Sequence, residues 1–295
     1  GAEGGDHDQV HHGHRDRHRQ AELGEGVLLL FGDAADPYRH PVRQIEPGRP
    51  ARITTQGGAL TADMVVLATN AWSAAIPQLA RLFPPVNSSV VVTRPLGALF
   101  QDIGWTGGES ITDSQLLVDY YRTTRDGRIV FGKGTGGIAY GARINGVFSD
   151  DTESTALTRA DLFATYPMLP PDAVADSWSG PVDRTYDSLP VFGSLRGQPN
   201  ILYGIGWSGN GVGPSRLGGR ILASLALGRD DEWSRCSLVG RKCRGFPPEP
   251  FRYLGGKMVR NAVIRKEKAE LQGRTAGMLD RMLAGLAPSG LEDKS

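Results

Sequence analysis

One stretch, ILYGIGWSGNGVGPSRLGG at residues 201–219, restricts the possible folds of this chain more than any other. An apolar, strand-like run delivers a turn with glycines at 204, 206, 209, 211 and 213, and Pro214 and Ser215 then suit the opening of a helix. Strand, glycine-rich turn and helix make an α/β unit whose backbone can lie close to a flat ligand, because glycine has no Cβ to hold it off. Free N–H groups at such a helix start carry partial positive charge and favour an anion. Gly204, Gly206 and Gly209 also satisfy G-x-G-x-x-G. The dinucleotide fingerprint requires, however, a second strand that ends in an acidic residue ~20 positions on. Asp230, Asp231 and Glu232 lie at that distance, but LASLALGR before them continues the helix into Gly228, so no second strand intervenes. Gly132, Gly134 and Gly137 repeat the spacing inside an expected hairpin and lack the same context. Neither reads as an NAD fingerprint; an NAD-dependent dehydrogenase built on Gly204, Gly206 and Gly209 stands as a weaker alternative.

Upstream, TADMVVLATNAWS holds the continuous apolar run Met64 to Leu67, which predicts a strand buried on both faces, as in a parallel sheet. It runs into Ala68, Thr69 and Asn70, small residues that let a ligand approach, and a helix is expected from about Ser73 to Leu82. Val42 to Ile45 and Ala51 to Thr55 read as short strands around Pro47-Gly48-Arg49-Pro50, with a further turn at Gln56-Gly57-Gly58. From Ser89 the strands VVVTRPL, LLVDYYRTT and GRIVFGKGT follow one another without helices, which predicts an antiparallel sheet. Thr158 to Tyr166 reads as a helix stopped by Pro170-Pro171, SWSGPVDRTYDSLPVFG as turn-rich with strand ends, and Pro214 to Leu227 as a helix. A Pro-rich link, FPPEP, then precedes a helix over GGKMVRNAVIRKEKAELQ.

Composition excludes several classes. With 39% apolar and 22% charged residues the chain can build a core, and a net charge of +1 argues against a nucleic-acid surface. No apolar run approaches the ~18 residues of a membrane span, and the start lacks a signal-peptide layout, so a cytoplasmic protein is expected. Cys236 and Cys243 read as free thiols without the neighbours of a metal site. Five of the six histidines crowd into GAEGGDHDQVHHGHRDRHRQ, and none follows His40. That tract has no apolar anchors or partners to orient imidazoles, which favours an irregular N-terminus over residues 1–36 rather than a metal site. No imidazole is then available as a general base in the ordered part.

ADMVVLATNAW, DYYRTTRDGRIVFG, WSGPVDRTYDSLPVFG and GWSGNGVGPS occur in that order, and together they resemble the glycine/D-amino-acid oxidase (DAO) family of FAD-dependent oxidoreductases over residues 41–260. The likeness is to its bacterial amine and amino-acid oxidoreductases, of the gamma-glutamylputrescine oxidoreductase type. The resemblance implies a mixed α/β fold: a partial FAD-binding domain from residues 37–82 and 190–229, an antiparallel-sheet substrate domain over 83–189, and a helical tail over 230–295. Nothing in residues 1–40 fits the family's opening strand, G-x-G-x-x-G turn and helix, so the chain is expected to be a C-terminal portion of such a protein. The resemblance places Val42 on an adenine-contacting segment, Ala68, Thr69 and Asn70 beneath the middle of FAD, and Gly206, Trp207, Ser208, Gly209, Asn210, Gly211 and Val212 beside the flavin. The amides after Trp207 are expected to face it. The sheet residues Tyr120, Tyr121 and Arg122, with Trp178, are expected to bind a small amine or amino-acid substrate. The implied reaction is hydride transfer from a carbon next to nitrogen to flavin N5, followed by hydrolysis of the imine, which needs no strong base. No lysine lies between Lys133 and Lys242, which leans towards an acceptor other than oxygen unless Lys133 reaches the site. The alternative is a remnant or interaction protein that holds no cofactor.

Overall fold

An uninterrupted apolar strand needs cover on both faces, and Met64–Ala68 has it. In the computed structural model, which describes residues 27–31, 42–55, 57–97, 99–149 and 151–288, this run is strand β5 of a four-stranded sheet of order β1-β5-β12-β11. Its companions are β1 (Val27–Phe31), β11 (Val191–Leu195) and β12 (Gln198–Ile205). β1 and β12 run parallel to β5, with Ile201, Leu202 and Tyr203 opposite Val65, Val66 and Leu67, and β11 returns antiparallel to β12. Side chains alternate across this sheet. Val65, Leu67, Ile201 and Ile205 enter one core with Leu79 and Phe83. Val66, Leu202 and Phe192 enter another, beneath Ile221 and Leu222 of helix α3 (Ser215–Ala226). Each fully buried Val or Leu contributes roughly 1.5–3 kcal/mol, so a one-residue slip of β5 would forfeit both cores.

The second sheet is an antiparallel meander of β2 (Val42–Glu46), β3 (Ala51–Thr55) and β4 (Gly58–Ala62), with Ile53 buried in the first core. The third has five antiparallel strands in the order β10-β6-β9-β8-β7: β6 (Pro85–Thr93), β7 (Ser110–Thr112), β8 (Asp119–Thr123), β9 (Ile129–Lys133) and β10 (Val174–Asp183). Val91, Ile129 and Phe131 on one face pack against Leu162 of helix α2 (Thr152–Thr165). A single turn, α1 (Leu99–Asp102), precedes β7, and a helical hairpin of α4 (Phe251–Leu271) and α5 (Met278–Ala284) closes the described chain. Among the described residues no helix is long and apolar enough to cross a membrane.

Several boundaries differ from the sequence expectation. The helix expected from Ser73 to Leu82 is a 3-10 helix, Asn70–Ala75, followed by turns. Pro77 is the reason: it disfavours helical backbone at the residue before it, and Ile76 is extended (φ −86°, ψ 115°). Helix α2 starts at Thr152 rather than Thr158, because Asp151 caps it by accepting the Ser154 amide (3.0 Å). SWSGPVD, read as turns, lies inside the ten-residue strand β10, and Pro181 is tolerated there because β10 is an edge strand. β4 extends the hairpin beyond the expected turn. Residues 1–36 are not irregular throughout, since the apolar VLLLF forms β1; the His-rich tract lies outside the described residues.

Candidate functional site

Strand β10 ends at Asp183 and β12 at Ile205, and the two ends meet through one carboxylate. Asp183 is fully buried; its Oδ2 accepts the Gly206 amide (2.6 Å) and its Oδ1 the Trp207 amide (3.0 Å). Burial pushes the Asp183 carboxyl up to about 6, against the amides of Gly206, Ser208 and Trp207, which favour the carboxylate. The turn it holds is sterically demanding. Gly206 has φ +85°, and a Cβ there would lie 2.5 Å from Thr185 Cγ2. Ser208 is left-handed at φ +54°, a conformation that costs a non-glycine residue of order 1–3 kcal/mol. Thr185 holds it: its amide donates to Ser208 Oγ (3.3 Å), and Ser208 Oγ donates to the Gly206 carbonyl (3.3 Å). Trp207 turns its ring edge-on to Phe192, 5.7 Å away, which seats the turn on the sheet.

Beyond Trp207 the chain opens onto a cavity of about 660 Å³, a volume usual for small-molecule sites. Ala68, Asn70, Gly209, Gly211 and Val212 line it, together with the apolar Val66, Leu222 and Ala223. The Asn210 amide closes the turn on the Trp207 carbonyl (2.9 Å), and those of Ser215 and Arg216 bind back to Gly211 and Gly213. The amides of Gly209, Gly211, Val212 and Gly213 meet no acceptor among the described residues. Val212 is 96% exposed. Asn70, which also lines the cavity and is itself left-handed at φ +45°, holds a buried Oδ1 with no partner among the described residues.

The expected cofactor residues therefore divide. Ala68, Asn70, Trp207, Gly209, Gly211 and Val212 line the cavity. Val42 sits on the separate meander, 36% exposed. Thr69 is hydrogen-bonded to Ser73 (2.7 Å), and Ser208 to Thr185. The amides of Gly206 and Trp207, the first two of the expected cradle, are taken by Asp183; the amides without an acceptor among the described residues begin two residues later. Sequence reasoning missed Asp183 because its partners lie 23 and 24 residues away. The only signal was an acidic residue at a strand end within WSGPVD.

The expected substrate residues divide too. Trp178, Val90, Gly132 and Tyr120 form one row across four strands, about 14 Å from end to end at ~4.8 Å per strand, and Arg122 lies on the same face. Tyr120 hydrogen-bonds Ser88 Oγ (2.8 Å); Arg122 is exposed and Trp178 48% exposed. Tyr121 is a correction: it points to the opposite, helix-covered face, stacked 4.8 Å from Phe131 and packed with Trp105 and Tyr166. Strand alternation puts neighbours on opposite faces, so Tyr120 and Tyr121 cannot share a site. Lys133 does not reach the cavity. It is buried, with Nζ donating to Asp119 (3.1 Å), Asp161 (2.7 Å) and the Leu117 carbonyl (2.8 Å). The formal dinucleotide match also lacks its partner strand: after α3, Asp231 Oδ1 accepts from Ser224 Oγ and the Trp233 and Ser234 amides in a local turn. Among the described residues no cluster of His, Cys, Asp and Glu could hold a metal ion.

Residues 32–225 match the family model of the FAD-dependent oxidoreductases known as DAO. The chain belongs to the DAO family. It is 31% identical to a probable oxidoreductase, OrdL, of Haemophilus influenzae over 65% of this chain and 42% of that protein. It is 34% identical to the gamma-glutamylputrescine oxidoreductase of Escherichia coli K12 over 70% of this chain and 46% of that protein. The chain thus spans about half the length of the relatives it matches. Its fold is similar to that of glycine oxidase from Geobacillus kaustophilus, with a TM-score of 0.53 and 20% identity over 68% of this chain and 52% of that one. DAO-family proteins use FAD, and the cavity's lining fits a flat polar group: an unpartnered buried acceptor on Asn70, amides free of acceptors among the described residues, and apolar side chains such as Val66 and Leu222.

Proposed function

We propose that this chain forms the flavin end of the FAD site of an amine or amino-acid oxidoreductase. The observation that carries the reading is that one cavity is lined both by Asn70, whose Oδ1 is unpartnered, and by Gly209, Gly211 and Val212, whose amides meet no acceptor among the described residues. Bound there, FAD supplies the acceptor for a hydride from a carbon beside an amine nitrogen. The amides would sit against the edge that becomes negative on reduction, stabilising charge with dipoles already in place. Asn70 would meet a ring N–H, and Val212 would cover an apolar face.

The substrate domain of residues 83–189 and its open sheet face belong to the same proposal. Arg122 offers a guanidinium fork for a carboxylate, and Trp178 and Tyr120 offer aromatic walls. The names of the relatives, an oxidoreductase of gamma-glutamylputrescine and an oxidase of glycine, support an amine or amino acid as substrate. With Lys133 held by two carboxylates, the lysine nearest the sheet is not offered to the flavin, which favours an electron acceptor other than oxygen.

Titration of the purified chain with FAD, followed by the visible flavin bands and protein fluorescence, tests the reading. It predicts saturable binding with a shifted flavin spectrum. A spectrum identical to free FAD at saturating concentration would overturn it in favour of a protein that holds no cofactor.

A further inference from the structure

The cavity wall contains a charged side chain to which the site as proposed assigns no task. Asp183 is the single titratable residue among those lining the cavity, it is fully buried, and each of its oxygens holds a backbone amide. Those two amides belong to Gly206 and Trp207, immediately before the free ones. The stretch that joins them holds three left-handed residues, Gly206, Ser208 and Gly209, so it has little intrinsic reason to hold this shape. From these observations we infer that Asp183 is a positioning residue: by clamping Gly206 and Trp207 it aims the free amides of Gly209, Gly211 and Val212 into the cavity, and its charge state sets how well that turn binds an electron-rich ligand.

The inference rests on the flavin reading above and adds a residue and a pH dependence to it. Only a carboxylate serves here. It accepts on both oxygens, whereas a side-chain amide in its place could accept only one of the two backbone N–H groups and would turn its own NH2 towards the other. A protonated Asp183 has the same fault on one oxygen, so the clamp weakens when the group takes up a proton. Among the described residues, burial and backbone amides are what act on it: Pro85 lies opposite in the sheet, the 206–208 turn brings backbone and hydroxyl groups, and Arg184 is the adjacent charge in the chain. The elevated position of the Asp183 carboxyl, about 6, places the change in a range that can be measured.

FAD affinity of the full chain, measured between pH 8 and pH 5 for the native sequence and for Asp183→Asn, decides the matter, with amide hydrogen exchange of residues 204–213 recorded in the same samples. The expected result is native affinity that is level above pH 7 and declines through pH 6, in step with loss of protection at Gly206 and Trp207. The D183N protein is expected to bind about tenfold more weakly at pH 8, the cost of stranding buried donors, with no inflection near pH 6. Equal affinity and an unchanged pH profile in D183N would overturn the inference and leave the flavin reading intact. Failure of the native chain to bind FAD at any pH would overturn the flavin reading itself. If D183N does not fold, the native profile decides: affinity and exchange that stay level from pH 8 to pH 5 contradict the inference.

Discussion

Gly132 shows how one residue can shape the open sheet face. The ring of Tyr120 lies over it, and a Cβ at 132 would come within 2.2 Å of that ring. Gly132→Ala therefore has to lift Tyr120 from its place and break its hydrogen bond to Ser88. We expect a loss of about 1–3 kcal/mol in urea unfolding, typical of overpacking, and none of that loss when Tyr120→Leu is already present. At this scale the sequence was legible where a residue's role is local. The residues Ala68 and Asn70, with Gly209 and Gly211 after Trp207, line the cavity. It was illegible where the partner is remote. Asp183 could not be assigned from a motif, because what it satisfies is a pair of amides brought to it only by the meeting of two sheets. Tyr121 was misplaced by proximity to Tyr120, although strand alternation alone separates their faces.

Among elements, the antiparallel sheet is joined to its helices by a buried ionic cluster. Lys133 of β9 binds Asp119 of β8 and Asp161 of α2, and the Leu117 carbonyl accepts a third bond from it. The Leu117 amide in turn donates to Glu267 of α4 (3.0 Å). Burial would lower the Lys133 ammonium, but the two carboxylates outweigh it and hold its pKa up. Burial raises Asp119 to about 7 despite Lys133. Lys133→Met should cost about 3–5 kcal/mol in denaturant unfolding, because it leaves the buried Asp119 without its cation and beside the partly exposed Asp161. The pH dependence has a definite sign. Asp119 titrates near 7 in the folded chain against 3.8 ordinarily, so across that window the native state keeps a proton that the unfolded chain has shed. Stability from this group falls as pH rises through the window and levels above it. Asp119→Asn should lack that slope between pH 5 and 7, and an unchanged slope would contradict the assignment. Elements with a strong local signature, β5, β9 and α3, were read correctly from period and turn residues. The stretch after Asn70 and strand β10 were not, because one depends on a proline inside an otherwise helical pattern and the other on its edge position in the sheet.

For the whole molecule, the arrangement that matters is the junction of the mostly parallel sheet with the antiparallel one. β12 and β10 end side by side, Asp183 ties them, and the cavity opens at that junction under Asn70 and beside the start of α3. A ligand held there would touch backbone from one sheet and approach the open face of the other, where Trp178, Tyr120 and Arg122 stand. The fold class was implied by the family resemblance, and the patterning agreed with it: a continuous apolar strand beside a glycine turn, and a run of closely spaced strands. The junction itself was not, because it is tied through Asp183 to amides 23 and 24 residues further on, a contact that no motif or period encodes. The most direct measurement is an amide nitrogen–proton correlation spectrum of the labelled chain titrated with FAD. The account predicts the largest shifts at Gly209, Gly211 and Val212 and at the Asn70 side chain, with Gly206 and Trp207 little moved. Shifts confined to Val42 and the meander, or none at all, would contradict it.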